Sequence, residues 1–163
     1  MATTTVEQIT AAAGVAKGSF YLHFGAKEDV VEGLRQRFVD TVLTAVSAAA
    51  AREGDWSTTL IAWARACVAA YASGARLHAI VFGEAAPPSS AGLTDNPLID
   101  HLARLLAAGA AAGAWDVPAP RFTALFLFNA LHGIALAAEE RGAALERQLA
   151  SHCLRVVGAA RPD

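Results

Sequence analysis

The chain has 163 residues, 55% of them apolar and 17% charged, with a formal net charge of -2. That length holds one or two small domains and a sizeable core, and that composition excludes a disordered chain. The slightly negative balance excludes a global basic field, so any contact with nucleic acid must come from a local patch.

Helix formers dominate, and no segment alternates β-branched and polar residues over strand length, so the pattern predicts an all-α fold. Thr5 and Gln8 form a capping box that opens a short helix over Val6–Ala13. Gly14 stops it, and Gly14-Val15-Ala16 makes a tight turn. A second short helix covers 17–24 and ends at Gly25. A long third helix covers 26–51, with Glu28 and Asp29 in its first turn, where the helix dipole favours acids. Asp55 caps a helix over Trp56–Ser73, which Gly74 breaks. A short helix covers 76–85, and Pro, Ser and Gly make a loop of 87–94. Asn96 and Pro97 start a helix that reaches Ala112. Trp115 packs a connector of residues 115–118 down on the body. Pro120 starts an apolar helix to Glu140, and a last helix covers 143–158.

The apolar run 122–138 is interrupted by Asn129 and His132, so it reads as a buried helix and not as a membrane span. The first five residues lack both a basic head and an apolar stretch, so the expected location is cytoplasmic, with no signal peptide. Cys67 and Cys153 lie far apart, and no Cys/His cluster has ligand spacing. Reduced thiols, no zinc and no cofactor are expected. No nucleophile elbow, phosphate loop or close acid pair points to an enzyme.

Two short helices joined by a glycine turn make a helix-turn-helix. Ala12 and Ala13 let the helices approach, Gly14 supplies a left-handed turn, and Val15 plugs the space between them. Ile9, Phe20 and Phe24 can form the shared core. The other face of the second helix shows Lys17, Gly18, Ser19, Tyr21 and His23, side chains of the kind that meet phosphates and base edges.

The stretch TVEQITAAAGVAKGSFYLHFGAKEDVVEGL, with the residues flanking it from about 3 to 38, closely resembles the DNA-binding signature of the TetR family. The resemblance implies a helix-turn-helix DNA-binding domain over 1–38 and a helical effector-binding and dimerisation domain over 39–163. It implies that Lys17, Gly18 and Ser19 enter the major groove, that Tyr21 and His23 touch the backbone or groove wall, and that Lys27 meets a phosphate. Thr5 would cap the first helix and also donate to a phosphate. Ala16 departs from the family, which often has a capping Ser or Thr there. The family also places another helix before this motif, and only four residues precede Thr5. The expectation is therefore a three-helix domain lacking its first helix, with the true start upstream. Residues 1–38 hold four cations and four anions, a poor footprint for DNA.

In the body, Trp63, Cys67 and Tyr71 share one helix face, and core packing and cavity lining stand as equal readings. Phe122, Phe126, Asn129 and Gly133 are expected to face the interior, with the opposite face meeting a partner subunit. Asn129 and His132 are expected side by side. His101 lies among Leu98, Leu102 and Leu105, and His78 and Glu84 are expected to face solvent or a helix end. Leu145, Leu149, His152 and Val156 make a stripe suited to a dimer interface through the last two helices. The candidate ligand set is Trp63, Cys67, Tyr71, His101, Leu105, Phe126 and Asn129, and its apolar, aromatic character favours a hydrophobic or aromatic small molecule. The expected protein is a ligand-responsive regulator, a homodimeric repressor of palindromic double-stranded DNA. The alternative is an effector-binding dimer that does not read DNA.

Overall fold

A computed structural model describes residues 4–52, 54–83, 96–137 and 142–159. Among them are eight helices and no strand: α1 (Val6–Ala13), α2 (Lys17–His23), α3 (Lys27–Ala50), α4 (Trp56–Ser73), α5 (Ala75–Phe82), α6 (Pro97–Ala111), α7 (Pro120–Ala137) and α8 (Ala143–Val156). The all-α expectation holds, and helix boundaries fall within a few residues of the predicted ones. The expected loop at 87–94, Glu84, and the end of the helix predicted to reach Glu140 lie outside the described residues.

Local chemistry sets the ends. The Thr5 hydroxyl accepts from the Gln8 N–H at 3.3 Å while Gln8 accepts from the Thr5 N–H at 2.9 Å, which closes the capping box. Gly14 takes φ 68°, the left-handed conformation that lets α1 stop and α2 start. Ala16 offers α2 no side-chain cap. The Asp29 carboxylate accepts from the N–H groups of Gly25 and Ala26 at 2.8 and 3.1 Å, which fixes the start of α3.

The long helix α3 belongs to both ends of the molecule. It runs unbroken through residue 38, where the sequence places a domain boundary. Phe38 is buried against Tyr71 and Phe82, in the body. Helix α4 is the centre of that body and packs on α3, α5, α7 and α8, while α6 packs on α3 and α7. Leu60, Trp63, Ala64, Cys67, Val42, Val46, Leu98, Leu102 and Leu106 are fully buried between them. Trp115 packs the connector as expected. Its indole N–H donates to the Leu106 carbonyl at 2.8 Å, and its ring lies so close to Gly109 that a Cβ there would come within 2.1 Å.

Three packing expectations are corrected. Val15 does not plug the helix-turn-helix: it is 49% exposed, and Thr10 takes the inner place, 4% exposed with its hydroxyl donating to the Val6 carbonyl at 3.0 Å. Phe20 is buried, but Ile9 is half-buried and Phe24 is exposed. In α7 the inward side is Ala124, Leu127, Phe128, Leu131 and Ala135, whereas Phe122, Phe126, Asn129 and Gly133 face outward. The helix is apolar almost all round, so the sequence pattern does not choose between its faces; packing against α4 and α6 does.

Candidate functional site

The first site is the helix-turn-helix. On α2, Gly18, Ser19, Tyr21 and His23 are all exposed, and Tyr21 stands edge-on to the buried Phe20, 5.3 Å between ring centres. The apolar ring of Phe20 is thus turned into the protein while the polar side of α2 is presented outward. Lys17 is exposed and paired with Glu7 of α1. The hydrogen bond from Lys17 holds the Glu7 carboxyl down at about 2, and the same bond raises Lys17. Lys27 is the first residue of α3, and Thr5 the cap of α1. All seven sequence-predicted DNA contacts therefore lie on α1, α2 or the start of α3, though Lys17 already has an acidic neighbour.

The second site is a groove at the opposite end of α3. It has a volume of about 430 Å³ and is lined by Ser47, Ala50 and Ala51 from the end of α3, Asp55, Trp56 and Thr59 from the start of α4, and His101 and Leu105 from α6. His101 is fixed from two sides. Its Nδ1 accepts from the Trp63 indole N–H at 2.9 Å, and its Nε2 lies 3.2 Å from the Ser47 hydroxyl. Burial lowers its pKa, and Arg104 adds to that. Asp55 caps α4: one carboxylate oxygen accepts from the Thr58 N–H at 2.9 Å and the other from the Thr58 hydroxyl. Those hydrogen bonds keep the carboxyl below its ordinary range.

Of the seven predicted ligand residues, only His101 and Leu105 line this groove. Trp63 and Cys67 are at 0% exposure and are core; burial pushes the Cys67 thiol up to about 12 and that of Cys153, also unpaired, to about 11. Tyr71 is buried and raised by the same cause. Phe126 is 57% exposed, and Asn129 faces outward with its amide donating to the Leu125 carbonyl at 2.8 Å, so neither reaches the interior or the groove. His132, three residues further along α7, turns instead to His78, with the two Nε2 atoms 3.1 Å apart.

Sequence reasoning missed Ser47, Trp56 and Thr59, and read Asp55 only as a cap. It also placed His78 in solvent or at a helix end. His78 is half-buried, stacked on Phe82 at 4.7 Å and beside Tyr71, Phe38 and His132. Burial lowers both histidines, and their mutual repulsion lowers His78 further. This cluster joins α3 to α4, α5 and α7. Arg35 of α3 adds a tie, donating from Nε to the Val81 carbonyl near the end of α5 at 2.6 Å. The pairing partners lie 46 and 54 residues apart in sequence, beyond any local pattern. Among the described residues, no group of three or more His, Cys, Asp or Glu side chains could hold a metal ion, and no helix is long and apolar enough to cross a membrane.

The described residues thus form a helix-turn-helix with an outward polar face, carried on a helical body. Residues 1–34 match the sequence pattern of the bacterial regulatory proteins of the tetR family. The fold is that of solved regulators of the same family. A tetR-family regulatory protein from Rhodococcus RHA1 is 22% identical, with 97% of this chain and 88% of that one aligned at a TM-score of 0.74. A TetR/AcrR-family regulator from Thermobifida fusca is also 22% identical, with the same coverage and a TM-score of 0.68. PfmR, a TetR-family regulator from Thermus thermophilus, is 16% identical over 97% of this chain and 90% of its own, at 0.68. The N-terminal segment thus carries the sequence pattern of the tetR-family regulatory proteins, and the fold of the chain is similar to that of solved regulators of that family over 97% of its length.

Proposed function

We propose that the protein is a ligand-responsive repressor that reads palindromic operator DNA in the cytoplasm as a homodimer and is released by an aromatic or hydrophobic small molecule. The observation that carries this reading is α3 itself. Its first turn, with Lys27, follows the recognition helix α2, and its last turns line the groove through Ser47, Ala50 and Ala51. The twenty residues between Lys27 and Ser47 span about 30 Å as one rigid rod, so a ligand that shifts one end moves the other.

The outward face of α7 supports the dimer. Phe122 is 71% exposed, Phe126 57% and Leu136 43%, and Val156 of α8 is 39% exposed. An apolar patch of that kind is covered when two copies pair their last two helices. Within the expected stripe on α8, Leu149 turns into the core while His152 and Val156 remain outward, so the interface is carried mainly by α7. Thr5, Lys17, Gly18, Ser19, Tyr21, His23 and Lys27 make the DNA contacts, in two copies about 34–36 Å apart.

One observation favours the second reading, an effector-binding dimer that does not read DNA: Lys17 is held by Glu7 rather than offered to a phosphate. Selection of binding sites from a random DNA pool separates the two. The repressor reading expects a palindrome with half-site centres about 10 base pairs apart. A folded dimer that enriches no sequence supports the second reading instead.

A further inference from the structure

The groove at the end of α3 has a definite charge character. The indole N–H of Trp63 can only donate, so His101 Nδ1 must be its acceptor and carry a lone pair. A neutral imidazole then has its proton on Nε2, and that N–H donates to the Ser47 hydroxyl oxygen. Charging the ring would put a second proton on Nδ1, directly against the indole N–H. His101 is thereby locked neutral and brings no positive charge to the groove.

Among the described residues, Asp55 is the one formally charged side chain in the lining. Thr58 uses one lone pair on each of its oxygens. A carboxylate has about four acceptor positions, so about two remain for a ligand. Thr59 spends its hydroxyl hydrogen on the Asp55 carbonyl at 2.7 Å. Ser47 receives the His101 proton, and no hydrogen bond described in the structure uses its own hydroxyl hydrogen, which is left for a ligand acceptor. The rest of the lining is apolar: Ala50, Ala51, Leu105 and the Trp56 ring, which stands edge-on to Trp115. The volume of about 430 Å³ suits a small ring compound.

We propose that this groove takes a small aromatic ammonium compound, its cation at Asp55, its ring against Trp56 and Leu105, and an acceptor atom at Ser47. This rests on reading the groove as the effector site. A carboxylate next to an indole stabilises an organic cation twice, by a charge-assisted hydrogen bond and by the ring's negative face. An anionic ligand would meet Asp55 with no compensating cation among the described lining residues.

Calorimetric titration of the full chain with three matched probes tests both layers. The probes are 5-methoxytryptamine, 5-methoxytryptophol and 5-methoxyindole-3-acetate, respectively cationic, neutral and anionic. The amine is expected to bind at least about tenfold more tightly than the alcohol, and the acid most weakly. Asp55→Asn, which still caps α4, should bring the amine to the level of the alcohol. Ala51→Trp, at an exposed lining position, should fill the groove and abolish binding of all three. If the acid binds as well as the amine, or Asp55→Asn leaves the amine unchanged, the ligand class is wrong. The groove still stands in that case if Ala51→Trp removes binding. If binding survives Ala51→Trp with the fold intact by circular dichroism, or no probe binds up to its solubility, the site reading itself is overturned.

Discussion

Replacing Gly109 by alanine should destabilise the protein, although the change improves helix propensity. Gly109 lies inside α6, where alanine ordinarily gains about 1 kcal/mol over glycine. Here a Cβ would sit 2.1 Å from Trp115 Cζ2 and 2.4 Å from Cε2, more than an ångström short of ordinary contact. The indole has nowhere to go without loss, since it is 6% exposed, donates to the Leu106 carbonyl and packs against Trp56. A ring strained in place costs about 3 kcal/mol. A ring expelled to solvent loses about 4–6 kcal/mol of burial and about 1 kcal/mol of hydrogen bond. Less the propensity gain of about 1 kcal/mol, Gly109→Ala should lose about 2–6 kcal/mol. Gly33, also inside a helix, meets nothing within 4 Å, so Gly33→Ala should gain about 0.5–1 kcal/mol. Urea unfolding followed by far-ultraviolet circular dichroism reads both. The same substitution should move the midpoint in opposite directions, and a Gly109→Ala midpoint at or above that of the parent refutes the packing argument.

Other predictions follow from the same geometry. His78, His101 and His132 are all lowered from 6.5 by burial. Below that value the unfolded chain binds more protons than the folded one, so stability is complete above about pH 6.5 and falls as pH drops toward the lowered folded values. Urea midpoints at pH 7.5, 6.5 and 5.5 should decline in that order; a flat or rising series contradicts the assignment. Thr5→Ala removes the cap of α1 and should cost about 1 kcal/mol, seen as faster amide exchange in α1, while Thr5→Ser should retain it. Phe126→Glu on the outward face of α7 should weaken dimerisation by more than about a hundredfold, because a two-fold interface loses about 1.5–3 kcal/mol of burial from each copy. Sedimentation velocity showing an unchanged dimer would move the interface elsewhere.

The helices were legible because their ends carry local chemistry: the Thr5–Gln8 box, Gly14, the Asp55 cap and the Asn96-Pro97 start all act within a few residues of chain. The recognition helix was legible for the same reason, its polar and apolar sides alternating within seven residues. The groove was only partly so. Ser47, Asp55 and His101 lie on three helices and meet through packing, which no periodicity encodes. The orientation of α7 failed because Phe122 and Phe126 are as apolar as Leu127 and Phe128, and the choice between those faces belongs to the partners of the helix, not to its sequence. His78 and His132 were hidden by their 54-residue separation.

The central claim is that α2 reads DNA sequence. Fluorescence anisotropy at fixed low salt should compare the DNA flanking the protein's own gene with a scrambled duplex of equal length, for the parent and for Ser19→Ala and Tyr21→Ala. Ser19 and Tyr21 are both exposed on α2. The account predicts preferential binding to the flanking DNA by the parent, with that preference reduced about tenfold or more in the variants. Equal binding of both duplexes by a folded dimer, or a preference that neither variant changes, would contradict it.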